Sequence, residues 1–372
     1  MREHVPLALA GILVLGVAAQ WAAWRLRLPA ILLLLAAGYL AGPVLGWLHP
    51  DELFGDLLLP VISLSVAVIL FEGGLTLNLR ELREVGGAVV GLITVGILVT
   101  WTLAAAAAYA WLHLAPPLAI LLGSILVVTG PTVILPLLRE IRPHPRVGSV
   151  IKWEGIVNDP IGAILAVLVF EAIVAGGVQQ GASVAAWGVL KAAVAGGGVG
   201  LAAAAVMVFV LRRYWVPDFL QNPAFAMAVV AAYTAANLLQ TESGLLATTV
   251  MGAALANQRR VTVRHVAEFK ESLRVLLLAF LFITLAARVP VQDLRTLGWA
   301  SGAFLATLVL VVRPAATLVS TWRSNLTWRE RALVAWMAPR GVVAAAVSSI
   351  FALRLADAGW TEAPRLVVLA FL

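Results

Sequence analysis

Two carboxylates and an amide stand within a few positions of one another inside a stretch otherwise built for lipid. From Val147 to Ala175 the sequence reads as one helix of Ile, Val, Leu, Ala and Gly, interrupted by Glu154-Gly155-Ile156-Val157-Asn158-Asp159-Pro160. An ionisable group at bilayer depth is costly and persists beside a wet cavity, a partner charge or a travelling ion. Asp159 falls about twelve residues into this segment, ~18 Å along a helix, which is close to the midplane. A carboxyl there can hold a proton and give it up to a cation. A hard monovalent cation takes oxygen ligands, and Asp159 with the backbone carbonyl of Thr129 can supply them. Asn158 belongs to the same site and is read as bonding unwound backbone rather than the ion itself. Glu154 lies four residues before Asn158 and shares its helix face. Arg340 sits at comparable depth in a later segment. The two are expected to compensate each other, since a lone buried charge costs far more than a paired one.

These residues must be carried by membrane helices. Hydrophobic residues make up 62% of the 372 and charged residues 12%, against about 45–50% and about 25% in soluble domains. Several runs reach the ~20 apolar residues that cross a bilayer. The sequence predicts an all-α polytopic membrane protein with thirteen segments, at about 5–24, 29–48, 57–77, 86–112, 117–138, 147–172, 184–211, 222–240, 243–257, 272–288, 297–322, 331–353 and from 364 onward. The first 25 residues read as a transmembrane helix, not a cleavable signal. The last segment starts at Pro364 and is too short by Leu372 to span a bilayer. The chain is therefore expected to continue, completing this helix and entering a cytoplasmic segment. The absence of Cys removes disulfides, thiolate metal sites and cysteine nucleophiles.

Lys and Arg concentrate in the loops after odd-numbered segments, as at Arg25, Arg80, Arg139, Arg212, Arg260 and Arg323. The positive-inside rule then places the N-terminus outside and the far end of segment thirteen in the cytoplasm. The net charge of +7 belongs to these short loops and is not read as affinity for nucleic acid.

Segments five and twelve are interrupted at their middles, by Thr129-Gly130-Pro131 and by Pro339-Arg340-Gly341. Either site alone could be a plain kink. The two segments are seven apart and so run in opposite directions. Interrupted helices at matching positions of inverted halves mark the substrate site of many secondary transporters. Repeat one then covers about 1–172 and repeat two about 222–372, joined by a linking helix at about 184–211. Gly130, Pro131, Pro339 and Gly341 form the crossover of the two broken helices.

With these residues in place the chain resembles the monovalent cation/proton antiporter family. The resemblance rests on Phe71-Glu72-Gly73-Gly74-Leu75, Thr129-Gly130-Pro131, Glu154 with Asn158-Asp159, Phe269-Lys270-Glu271 and Pro339-Arg340-Gly341. It covers the whole chain in order. The branch it is similar to is the prokaryotic Na+/H+ exchangers with an Asn-Asp pair. The resemblance implies a core domain moving against a scaffold that forms a homodimer, with ion and proton competing for Asp159. It also implies that Glu154 and Arg340 hold the crossover together, and that an Asn beside the Asp gives electroneutral exchange. Members of that family often carry a hydroxyl residue at the position of Gly155 and an aspartate at that of Gly130. Glycine at 155 is expected to leave room for water, and glycine at 130 removes one polar group.

Other intramembrane charges are less specific. Glu72 either ligates the ion, draws it into the inner funnel, or snorkels to the interface. Arg313 either pairs with a core carboxylate or snorkels. Lys152 either repels cations or pairs with Glu72, and Lys191 reads as structural. The histidines lie in or near loops without metal-ligand spacing. The function expected is exchange of a monovalent cation, Na+ in the first reading and K+ in the alternative, for H+ across the cell inner membrane. A channel would show a filter repeat or a ring of pore charges, and an intramembrane enzyme a catalytic set; neither is found. No cofactor is expected, and the partners are the cation, the proton, the bilayer and a second copy.

Overall fold

The computed structural model describes residues 5–130, 134, 137–138, 141–174, 178–261, 266–289, 291, 298–337, 343–344, 347–348, 351, 355, 366 and 369, with backbone only for 178–186 and 266–272. Among these residues every regular element is helical. In chain order they are α1 (Val5–Leu26), α2 (Ala30–Val44), α3 (Pro50–Leu75), α4 (Leu82–Leu112), α5 (Pro116–Ile125), α6 (Pro145–Val174), α7 (Val178–Arg212), α8 (Asp218–Leu239), α9 (Ser243–Asn257), α10 (Val266–Ala287), α11 (Trp299–Ser320) and α12 (Trp328–Trp336). Each falls on one of the first twelve expected segments. Residues of the thirteenth lie outside the described set apart from Leu366 and Leu369.

The helix ends follow from local chemistry. α3 begins on Pro50, with Asp51 and Glu52 in its first turn, where their charge suits the exposed amides. α5 opens on Pro116-Pro117. α12 starts in a capping box, Thr327 accepting from the Glu330 amide and Glu330 accepting from that of Thr327 at 2.7 Å.

Seven of the described helices are long and apolar enough to cross a membrane. In α6 67% of the apolar window is buried, against 17–39% in the other six. α6 is therefore the central helix, and the others turn much of their surface outward. Close approaches use small residues, as expected where lipid competes with side chains for apolar contact. Gly74 of α3 meets the Thr249 carbonyl of α9, and Gly252 of α9 meets the Phe71 carbonyl of α3. On α2, Cβ atoms at Gly38 and Gly42 would come within 2.5 Å of the Ile283 carbonyl and 2.6 Å of the Ala287 carbonyl of α10.

α4 and α11 cross antiparallel. Trp111 donates to Thr307 Oγ1 at 3.0 Å and stands edge-on to Trp299, while Gly91 at the other end of α4 meets the Ser320 carbonyl. Each carries one π-helical turn, Leu92–Gly96 in α4 and Leu308–Val312 in α11. Apolar periodicity holds no signal for such a turn. α5 stops at Ile125 and α12 at Trp336, in the two segments expected to be interrupted, and described residues beyond each stop are helical again, from Ile134 and from Val343.

Candidate ion-exchange site

After Ile125 the chain leaves helical geometry. Leu126 and Val127 form a turn, Val128, Thr129 and Gly130 are non-helical, and helix returns at Ile134, whose amide donates to the Gly130 carbonyl at 3.4 Å. This strap lies across α6 at two glycines. A Cβ on Gly162 would stand 2.6 Å from Val128 Cγ2 and 3.1 Å from Val128 N. A Cβ on Gly155 would collide with Ile134 Cδ1 and stand 3.8 Å from the Thr129 carbonyl oxygen. The glycines are seven residues apart, two helical turns, and Asp159 lies four after the first and three before the second. It shares their face, beneath the strap.

Asp159 is 1% exposed, Asn158 4% and Glu154 3%. Oδ1 of Asp159, Oδ1 of Asn158 and Oγ1 of Thr129 are buried with no hydrogen-bond partner among the described residues. Each such orphan costs about 1–3 kcal/mol. All three belong to α6 or to the unwound strap across it, and a cation or a proton can satisfy such oxygens.

The charge beside it is neutralised. Arg313, at the end of the π turn of α11, donates Nη1 to Glu154 Oε1 and Nη2 to Glu154 Oε2 at 2.9 Å. Its Nε donates to the Met337 carbonyl and its Nη2 to the Val334 carbonyl, both at 3.1 Å. One guanidinium thus joins α6 to the C-terminal end of α12, where a cation also suits the helix dipole. A cavity of about 30 Å³ opens beside the pair, lined by Thr129, Asn158, Glu154 and Arg313 and by residues of both π turns. It is large enough for a water.

The structure brings Thr129, Glu154 and Asn158 together in one cavity lining and places Asp159 on the α6 face that carries Gly155 and Gly162. Pro131, Pro339, Arg340 and Gly341 lie outside the described residues. Arg313 takes the core-carboxylate option, its guanidinium meeting both oxygens of Glu154, while the expected partner Arg340 is among the residues not described. Three expectations change. Glu72, 5% exposed, is held by Arg274 of α10 at 3.2 Å and is not in the cavity lining. Lys152 pairs with Glu81 at 2.8 Å and donates to the Thr76 carbonyl at 3.2 Å, closing off the pairing with Glu72. The volume beside Gly155 holds Ile134 rather than water. Lys191 is exposed, with its ammonium 5.8 Å from the Trp187 ring centroid. The sequence missed Ile134 altogether. For Arg313 its one signal was an arginine inside an apolar segment.

A broken helix is thus strapped across a central helix, with a buried carboxyl beneath it and a charge-compensated one nearby. The chain matches the model of the transmembrane sodium/hydrogen exchanger family over residues 10–372, and it belongs to that family. It is 27% identical over 347 residues to the K(+)/H(+) antiporter NhaP of Alkalimonas amylolytica, covering 91% of this chain and 58% of that one. The chain thus spans little more than half of that relative. It is 25% identical over 358 residues to Na(+)/H(+) antiporter 1 of Methanocaldococcus jannaschii, covering 90% and 80%. The solved structure of the sodium proton antiporter MjNhaP1 from that organism at pH 8 shares the fold, with a TM-score of 0.85 at 22% identity over 99% of this chain and 92% of that one. These relatives are transporters, not enzymes.

Proposed function

We propose that the protein exchanges a monovalent cation, Na+ in the first reading, for H+ across the cell inner membrane, with both competing for Asp159. The observation that carries this is the buried Asp159 Oδ1, without a partner among the described residues and beneath the unwound Val128–Gly130 strap. The Thr129 carbonyl and hydroxyl and Asn158 complete the oxygen set. One carboxylate that alternates between one proton and one cation gives one-for-one, electroneutral turnover. Glu72, its charge offset by Arg274, takes no ligand role in this reading.

Two inverted six-helix repeats joined by α7, thirteen helices in all, fit this reading. The antiparallel crossing of α4 and α11, seven apart and each with a π turn at the cavity, supports it. The N-terminus lies outside, the far end of segment thirteen in the cytoplasm, and two copies form the homodimer. K+/H+ exchange is the second reading. It is favoured by the apolar side chain in the Gly155 notch, and a K(+)/H(+) antiporter is among the relatives.

Purified protein in vesicles tests the proposal. A cation gradient should drive proton movement without net current, and Asp159→Asn should abolish it while the protein still elutes and melts as the parent does. Removing one buried charge does not unfold the bundle. Exchange persisting in Asp159→Asn vesicles would sink the assignment, and cation current without proton movement would mark a channel.

A further inference from the structure

Gly155 leaves a notch on the face of α6 that carries Asp159, one turn away. The notch is filled: Ile134 Cδ1 occupies the place of the missing Cβ, with its Cγ1 3.3 Å from that point. Ile134 is 1% exposed and sits in a cluster with Val150, Ile151 and Ile156. It is backed by packed side chains. The Thr129 carbonyl, a candidate ligand, is 3.8 Å from the same point. On the other side of Asp159, Val128 fills the notch of Gly162. The carboxyl therefore has an apolar plug one turn to either side, and its protein oxygens come from the narrow band between them.

We infer that Ile134 is a cation-selectivity residue, the apolar wall of the Asp159 site that handicaps small, strongly hydrated alkali cations relative to larger ones. This rests on the reading that Asp159 binds the transported cation. A cation seated there must shed water toward Ile134 and receives no oxygen in return. Dehydration is harder for a smaller ion of the same charge, so the handicap runs Li+ above Na+ above K+. Trimming the wall admits a water or a hydroxyl and relieves the small ions most.

The test uses the full chain in vesicles at fixed pH, with apparent Km read for Li+, Na+ and K+. Ile134→Thr keeps the branched shape, removes Cδ1 and adds a hydroxyl. Ile134→Ala vacates more of the notch. In both, the Na+ to K+ ratio of apparent Km should fall at least about threefold, and the Li+ to K+ ratio further. A purely structural role would move all three values, or the maximal rate, together.

Gly155→Ser checks the geometry independently of selectivity. Alone it collides with Ile134 and should lose most exchange; combined with Ile134→Ala it should recover. Ratios unchanged in Ile134→Thr, with exchange still abolished by Asp159→Asn, overturn the selectivity role and leave the site standing. Full exchange by Gly155→Ser alone overturns the geometry. Exchange that survives Asp159→Asn removes the cation site itself and this inference with it.

Discussion

Removing one partner of the Glu154–Arg313 pair should cost far more than removing both in proportion. The side chains are 4% and 11% exposed, and breaking a buried pair from one side costs about 3–5 kcal/mol, because the remaining charge is stranded. The two singles should differ. Arg313→Leu strands a carboxylate and also takes the donor from the Val334 and Met337 carbonyls, which places it near the top of that range. Glu154→Gln leaves the guanidinium bonded to both carbonyls and to the new amide oxygen, which places it near the bottom. Additivity would give a double-variant loss of about 8 kcal/mol. With no charge left behind, the double should stay close to the Arg313 loss alone, a coupling of about 2 kcal/mol or more. Denaturant unfolding of all four proteins in the same micelle, followed by tryptophan fluorescence, measures this, and vesicle exchange is read alongside. The same cycle with Arg340 in place of Arg313 tests the pairing expected from the sequence, and strong coupling there would show that Glu154 serves both arginines. Additive losses for Glu154 and Arg313 would refute the pairing.

Competition for one carboxyl sets the pH response. As pH falls, protons occupy Asp159 and the apparent cation Km should rise, by up to about tenfold per unit where competition is complete, while at high pH the scarce proton limits turnover and produces a maximum between. A cation Km that stays flat across two pH units would exclude a shared site. The strap's other anchor is testable by size. Gly162→Ala places a Cβ 3.1 Å from the Val128 amide nitrogen, backbone that cannot turn away, and should cost about 1–3 kcal/mol with slowed exchange. Val128→Ala in the same chain removes the Cγ2 that lies closer and should restore part of the loss. A fully stable, fully active Gly162→Ala would show that the strap does not clamp α6 there.

How far the sequence reached is plain in α9, expected over 243–257 and found at Ser243–Asn257. It is equally plain at Thr129-Gly130, where Gly next to Pro announced a break and the chain leaves helix from Val128. Both are local signals. The π turns of α4 and α11 were not legible, since one added residue in a turn hardly disturbs an all-apolar run. Nor was Ile134 as the occupant of the Gly155 notch: an isoleucine among apolar residues carries no mark of what it touches.

The sequence by itself determined that the chain is a bundle of membrane helices, that segment five breaks at its middle, and that an ionisable residue, Asp159, lies buried in the central helix. These follow from composition, from the demand that every backbone group in lipid be bonded within a helix, and from the cost of a charge at that depth. Only the tertiary structure decided which guanidinium meets Glu154, what fills the space beside Gly155, and that Glu72 belongs to Arg274 rather than to the cavity. Arg313 and Glu154 are 159 positions apart. Several arginines were chemically eligible, and the choice among them was made by how α11 packs against α6, a property of the folded bundle and of no local stretch of sequence.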